Sequence, residues 1–369
     1  MKKSAWYSVI QEEKLLTPGL LIYPERVKFN ILAMLSIAGG AERLWPHIKT
    51  HKMREVVKLQ MNEGITRFKC STLGEVELLI SCEVSHILLA HQPTEVKAKY
   101  FLSLQAKNPQ IQFSTLVDNE SSLQLFSDLA TSKAQQFSLW IDINNGMNRT
   151  GVIPELAFSL YESIVKKSSI QFQGLHVYDG HIRPLNQKAR IEKCNTDFVA
   201  VDHLIKNIEI SGGLVSRIIA GGSPSFFPHS LRSRVILSPG TTLLWDLGYK
   251  NIWEESPFLN AAVVITRLIS IPKKNILCFD LGHKAIASEM PLPRVEIFGL
   301  EGANHIGQSE EHLTIEYGEE NNFKVGDLFY AIPYHICPTV AKYNKAYTVI
   351  DGNLNSTWQI DARNYHLEI

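Results

Sequence analysis

The sequence has no surplus of either charge: Lys+Arg and Asp+Glu both total 37 over 369 residues. A balanced chain offers no electrostatic footprint for nucleic acid or an acidic membrane surface. No run of like charge suggests a disordered tail. Long apolar runs are missing too. The longest, ILAMLSIAGGA, is far short of a membrane span. The opening MKKSAWYSVIQEEK has no apolar run behind its lysines, so no secretory leader is expected. Cysteine is scarce, with Cys70, Cys82, Cys194, Cys278 and Cys337 scattered, odd in number and without a CxxC. That usage argues against a disulfide scaffold and for a reduced, cytoplasmic protein. Also absent is a strand followed by GxGxxG, the dinucleotide-binding fingerprint.

What is present is an alternation of textures. Short apolar runs rich in β-branched and aromatic residues appear at 20–24, 45–49, 66–70, 86–90, 111–117, 137–143, 171–178 and 216–222. Each is followed by a segment with apolar residues at helical spacing, such as LGEVELLISCEV or PELAFSLYESIVKKSS. Eight strand-then-helix units are the arithmetic of a (β/α)8 TIM barrel, whereas open doubly wound sheets more often stop at five or six strands. Beyond Pro239 the texture becomes strands between Gly, Pro and Asn turns, which predicts an antiparallel β domain. The expected division is a barrel over residues 18–245, with 1–17 and 246–369 forming the β domain and a first strand at AWYSVIQ joining it.

In a barrel of this kind the chemistry sits at the C-terminal ends of the strands. WPHIKTHK brings Lys49 to such an end, while Lys52 falls after the strand and opens the next helix. A lysine buried among imidazoles and apolar walls loses its charge more readily and becomes a nucleophile able to bond an aldehyde. Solvated lysines at both positions are the ordinary alternative. AGGSPSF (220–226) ends the eighth unit where phosphates bind in this fold, with Gly221 and Gly222 admitting an anion to the backbone and Ser223 offering a hydroxyl. The same residues would serve an ordinary tight turn. An amine with an anion cradle suggests pyridoxal phosphate (PLP). DINNGMNRTGV holds Arg149 in a glycine-bounded loop, suited to a cofactor oxygen or a carboxylate, or simply to solvent. In YHICPTV, read as a strand, His335 and Cys337 project to one side as a zinc-type pair with positions left open, or as a buried Cys beside an unrelated His.

Taken together, these motifs resemble one family. PHIKTHK resembles the lysine motif of the D-threonine aldolase and eukaryotic-type D-serine dehydratase family. GMNRTG resembles the corresponding loop of that family and of alanine racemases, and HICPT resembles the metal motif of the C-terminal domain. The resemblance implies a fold-type III PLP enzyme of the alanine racemase type, acting on a D-amino acid and usually a homodimer. It assigns the covalent PLP link to Lys49, the phosphate turn to Gly221, Gly222 and Ser223, and a cofactor neighbour to Arg149. The metal pair is His335 and Cys337, with Zn2+ favoured and Mn2+ as the alternative. GLHVYDGH resembles the family's seventh strand, which makes His176, Tyr178 and His181 cofactor or substrate neighbours. SPGTTLLWD departs from the family, because Ser238 and Thr242 stand where relatives often carry an acidic and an aromatic residue.

The implied activity is a lyase for D-3-hydroxy amino acids. D-Serine dehydration to pyruvate and ammonia is expected, because the aldolases tend to carry a carboxylate where this chain has Cys337, and a thiolate prefers zinc. Lys49 would move the α-proton. In the alternative, D-threonine cleavage to glycine and acetaldehyde, His51 or another rim imidazole would act as base. Racemisation would need a second acid/base group, commonly a partner tyrosine. A non-catalytic PLP carrier would lack both the β domain and the metal pair.

Overall fold

The structure is a computed structural model that describes residues 5–318 and 322–364. The remaining residues of the expected domain ends, 1–4 and 365–369, lie outside the described residues. Two compact units emerge. One comprises the chain up to Ala33, Thr50–Val56 and Thr241–Arg363, and the other Met34–Lys49 and Val57–Gly240.

The second of these units is built on seven parallel strands in sequential order: Arg67–Cys70, His86–Leu89, Gln112–Val117, Phe137–Ile143, Ile170–Val177, Ile218–Ala220 and Val235–Leu237. The segment around Trp45 completes the ring. Leu44 bridges Leu237 and His47 bridges Lys69, both in parallel sense. The Trp45 N–H donates to Leu237 C=O at 2.8 Å, and the Lys69 N–H donates to Pro46 C=O at 2.9 Å. The result is a parallel (β/α)8 barrel. Its interior is filled by Trp45, Leu88, Leu116, Trp140, Ile219 and Ile236. The Trp140 indole N–H, buried there, donates to the Ser114 hydroxyl at 3.2 Å. Three of the intervening helices start at side-chain caps: Thr72 accepts from Glu75 N–H, Asn119 from Ser122 N–H and Asn186 from Ala189 N–H.

Two strand assignments differ from expectation. LLIYP is not a barrel stave, because Gly19–Ile22 pairs antiparallel with Ala262–Lys273 and parallel with Lys345–Ile350 in the other unit. All four of its residues are buried, and an apolar run buried on both faces carries no periodicity that tells one sheet from another. The missing stave is Val235–Leu237, three residues long and too short to register as a pattern.

The first unit carries a nine-stranded sheet centred on Ala262–Lys273. The sheet is mixed: the contact of Gly19–Ile22 with Lys345–Ile350 is parallel and the other pairings are antiparallel. AWYSVIQ forms no strand. It joins this unit through Val9 N–H to the Tyr330 hydroxyl at 3.0 Å and Ile10 N–H to Gly352 C=O at 2.8 Å. Val9, Leu21, Tyr23, Val263, Ile265 and Tyr330 share its core. Among the described residues no helix is long and apolar enough to cross a membrane.

Candidate active site

The barrel opens on a cavity of about 330 Å³ whose lining includes Lys49, Lys69, His91, Arg149, His176 and Tyr178. Lys49 reaches it from a short 3-10 turn, Ile48–Thr50, rather than from a strand. Its N–H donates to His47 Nδ1 at 3.2 Å, which ends the extended segment. Lys52 has φ +57°, is buried, and directs its amine to Ala362 C=O at 3.5 Å, both residues belonging to the mixed-sheet unit. The helix expected to open at Lys52 starts at Arg54.

Three cations surround the Tyr178 ring. Lys49 Nζ lies 5.7 Å, Lys69 Nζ 5.6 Å and Arg149 Cζ 5.0 Å from its centroid. Tyr178 also bounds the glycine loop: a Cβ on Gly222 would stand 2.8 Å from its Cε2. Gly221 has φ +75°, and a Cβ there would meet Leu237 at 3.0 Å. The loop therefore requires both glycines. Ser223 Oγ accepts the Gly240 N–H at 3.3 Å, tying the loop to the end of the last stave. Behind it lies a fully buried brace. Asp179 accepts from the Ser225 hydroxyl and pairs with His229 Nε2 at 2.6 Å, both partners following the glycine loop in sequence. Asp179, Cys194 and His229 hold their ligand-type atoms within 4.8 Å of one another. Burial first, and then Asp179, push the Cys194 thiol up to about 12.

The sequence reading passed over Lys69. It is 3% exposed, and its amine lies 3.3 Å from His176 Nε2. His176 Nδ1 is 2.7 Å from Asp142 Oδ1, and Asp142 Oδ2 accepts from Gln92 at 2.7 Å. Burial first, and then the neighbouring Lys49, bring the Lys69 amine down to about 7, against the pull of Asp142 and Asp179. Burial and Lys69 likewise lower His176. Burial opposes the Asp142 charge, yet hydrogen bonds from His176, Thr150 and Gln92 hold its carboxyl below the usual range. A signal for Lys69 exists in RFKC, where the parity opposite Phe68 and Cys70 selects the barrel interior.

His51 is fully buried in the other unit and does not line the cavity. Its Nδ1 accepts Met53 N–H at 3.1 Å, its Nε2 has no partner, and burial followed by Lys52 lowers it to about 3. His181 sits under the Arg149 loop, 3.1 Å from where a Gly146 Cβ would stand, and 3.6 Å from Asp197. Ser238 donates its hydroxyl to Trp45 C=O at 2.7 Å and is buried, which spends it on barrel closure.

His335 and Cys337 are not on a strand. His335 caps the short helix Ile336–Val340, and Cys337 stands in its first turn. The two nonetheless share a hydrogen bond. Thr50 and Thr241 hydroxyls lie 3.2 and 3.3 Å from Cys337 Sγ, and Glu289 lies 2.5 Å from His335 Nδ1. Burial works against charge on both. For His335 the Cys337 contact, with Asp246 and Glu289, outweighs it and raises the imidazole to about 9, while His335 lowers the thiol.

The donor sets can be tested against the groups that the sequence implies. An amine, an anion-sized glycine loop and an arginine in one barrel mouth fit a phosphorylated aldehyde. A cysteine sulfur beside an imidazole whose Nδ1 is held by a carboxylate is the orientation that metal-bound histidines adopt.

A parallel barrel with a lysine and a glycine cradle at its mouth, joined to a β unit bearing a His–Cys pair, defines a cofactor-dependent enzyme class. Residues 22–245 match the family described as alanine racemase, N-terminal domain, and residues 261–349 match a putative serine dehydratase domain. The chain belongs to the alanine racemase N-terminal domain family, in the branch shared by D-threonine aldolases and D-serine dehydratases. It is 25% identical to a D-threonine aldolase from an Arthrobacter species, over 95% of this chain and 93% of the relative. It is 26% identical to the D-serine dehydratase of Dictyostelium discoideum, over 91% of this chain and 94% of the relative. The crystal structure of D-threonine aldolase from Filomicrobium marinum superposes with a TM-score of 0.85 at 22% identity, covering 95% and 96% of the two chains.

Proposed function

We propose that this PLP-dependent lyase acts on D-3-hydroxy amino acids with the help of a divalent metal, and that its reaction is the dehydration of D-serine to pyruvate and ammonia. The observation that carries the choice is Cys337, a thiol drawn towards its anion by His335 and flanked by two threonine hydroxyls. Thiolate with imidazole selects zinc over magnesium or manganese. Lys49 bonds the cofactor, Gly221, Gly222 and Ser223 take its phosphate, and Arg149, His176 and Tyr178 enclose it. When bound, PLP supplies an electron sink that acidifies bonds at the α-carbon. Lys49 Nζ then carries the α-proton. His335 and Cys337 hold the ion, which supplies Lewis acidity suited to a departing hydroxyl. The barrel expected over 18–245, less the strand Gly19–Ile22 that pairs in the mixed sheet, is the cofactor domain, and the mixed-sheet unit, expected over 1–17 and 246–369, is the metal domain, of a cytoplasmic homodimer.

A second reading, D-threonine aldolase, is favoured by a full-length relative of that name. In it an imidazole accepts the β-hydroxyl proton. His51 takes this role only if it gains a proton against its burial, whereas His91 lines the lysine cavity. Purified protein reconstituted with PLP and zinc is incubated with D-serine and D-threonine, with and without chelator. Chelator-sensitive pyruvate from D-serine supports dehydration. Glycine with acetaldehyde supports cleavage, and neither product overturns both readings.

A further inference from the structure

The barrel mouth holds two amines, and the reading above gives work to one. We propose that Lys69 is a second proton-transferring residue of this site, held in readiness by His176 and Asp142, and that it exchanges a proton with the amino group of the D-amino acid while Lys49 bonds the cofactor and carries the α-proton. The inference rests on the PLP reading of the cavity.

The geometry is that of a built acid–base chain. Asp142 Oδ1 lies 2.7 Å from His176 Nδ1, so the carboxylate holds the imidazole N–H on that nitrogen and leaves the Nε2 lone pair facing Lys69. Lys69 Nζ, 3.3 Å away, donates one N–H to Nε2. An amine pointed at a lone pair has its own lone pair directed elsewhere when neutral, and the cavity is the open side. Burial to 3% exposure disfavours the ammonium, as do Lys49 and Arg149, while Asp142 and Asp179 pull the other way. With His176, these are the charged and titratable groups that set its state. The balance leaves Lys69 able to gain and lose a proton near neutrality, which is the condition for general acid–base work. The step is a plain proton exchange. The Lys69 lone pair takes H+ from the α-ammonium of the entering amino acid, breaking one substrate N–H bond and forming one on Nζ; the ammonium formed stays hydrogen-bonded to His176, and the proton returns to the nitrogen of the departing product. No oxidant or further reactant is involved.

The test separates this role from a structural one and from the PLP reading. Borohydride reduction of the PLP-loaded protein, followed by peptide mapping, should place the tag on Lys49 in wild type and in Lys69→Met. Turnover by Lys69→Met should fall about a hundredfold or more with the tag intact. Lys69→Arg keeps the positive charge but cannot accept a proton, so it should be as inactive as Lys69→Met; recovery in Lys69→Arg would make Lys69 a structural cation and overturn the proposal. A tag on Lys69 instead of Lys49 would also overturn it, and a tag on neither would remove the PLP reading and this inference with it. Should Lys69→Met fail to fold, competitive acetylation of the PLP-free wild type decides the matter. Lys69 should become reactive as pH rises through about 7, and a midpoint near that of a solvated lysine overturns the proposal.

Discussion

The Asp179 clamp is the place where a single atom exchange has the most predictable cost. Asp179 and His229 are both fully buried with Nε2 and Oδ2 2.6 Å apart, and the Ser225 hydroxyl donates to the other carboxylate oxygen. Asp179→Ala removes the acceptor for two buried donors. Breaking a buried pair by deleting one partner costs roughly 3–5 kcal/mol. Asp179→Asn keeps one carbonyl oxygen but loses the charge, so a smaller loss of about 1–3 kcal/mol is expected. His229 offers no alternative anchor, since its Nδ1 has no partner. The clamp joins the strand end bearing Tyr178 to the helix after the glycine loop, so PLP retention should weaken along with stability. Urea unfolding at pH 7 measures the first effect, and PLP loss on dialysis, read by visible absorbance, the second. An unfolding free energy for Asp179→Ala within about 0.5 kcal/mol of wild type, with PLP retained, would refute the reasoning. The pH sign follows from the lowered folded value of Asp179. Its contribution is present above the unfolded carboxyl range and is lost as pH falls below about 4, through the folded value.

Other outcomes follow from particular atoms. Lys49→Met should abolish the borohydride-fixed PLP tag and the visible band, measured by mass and absorbance. Gly222→Ala places a Cβ 2.8 Å from the Tyr178 ring, so the ring must move and PLP affinity should drop at least tenfold by titration. Cys337→Ala should lower bound zinc to background by elemental analysis while PLP stays bound. His51, lowered to about 3, is buried neutral. Its contribution is therefore complete above pH 6.5 and fades as pH falls from there towards 3, and His51→Gln should flatten that acid limb in urea unfolding.

Much of the barrel was legible because alternating strand and helix textures repeat on a regular beat. Gly19–Ile22 deceived because its whole length is buried, and Val235–Leu237 escaped because three residues make no period. Lys49, Arg149, His176 and Tyr178 were found through motif resemblance, and the structure gathers them in one cavity. Lys69 was missed because a lysine one residue before a strand end reads as surface unless the strand's inside face is assigned first. His335 and Cys337 were expected to project together from a strand, whereas they come together at the start of a short helix, His335 at its N-cap and Cys337 in its first turn.

The strand Gly19–Ile22 has a consequence for modularity. It is hydrogen-bonded on one side to residues 262–265 and on the other to 347–348, segments that lie far downstream. Severing the chain after residue 245 would strip both ladders at once and bare eight main-chain groups of an entirely apolar segment. A cut at that point therefore does not part the two units cleanly, since this strand precedes the barrel in sequence but is paired only within the mixed sheet.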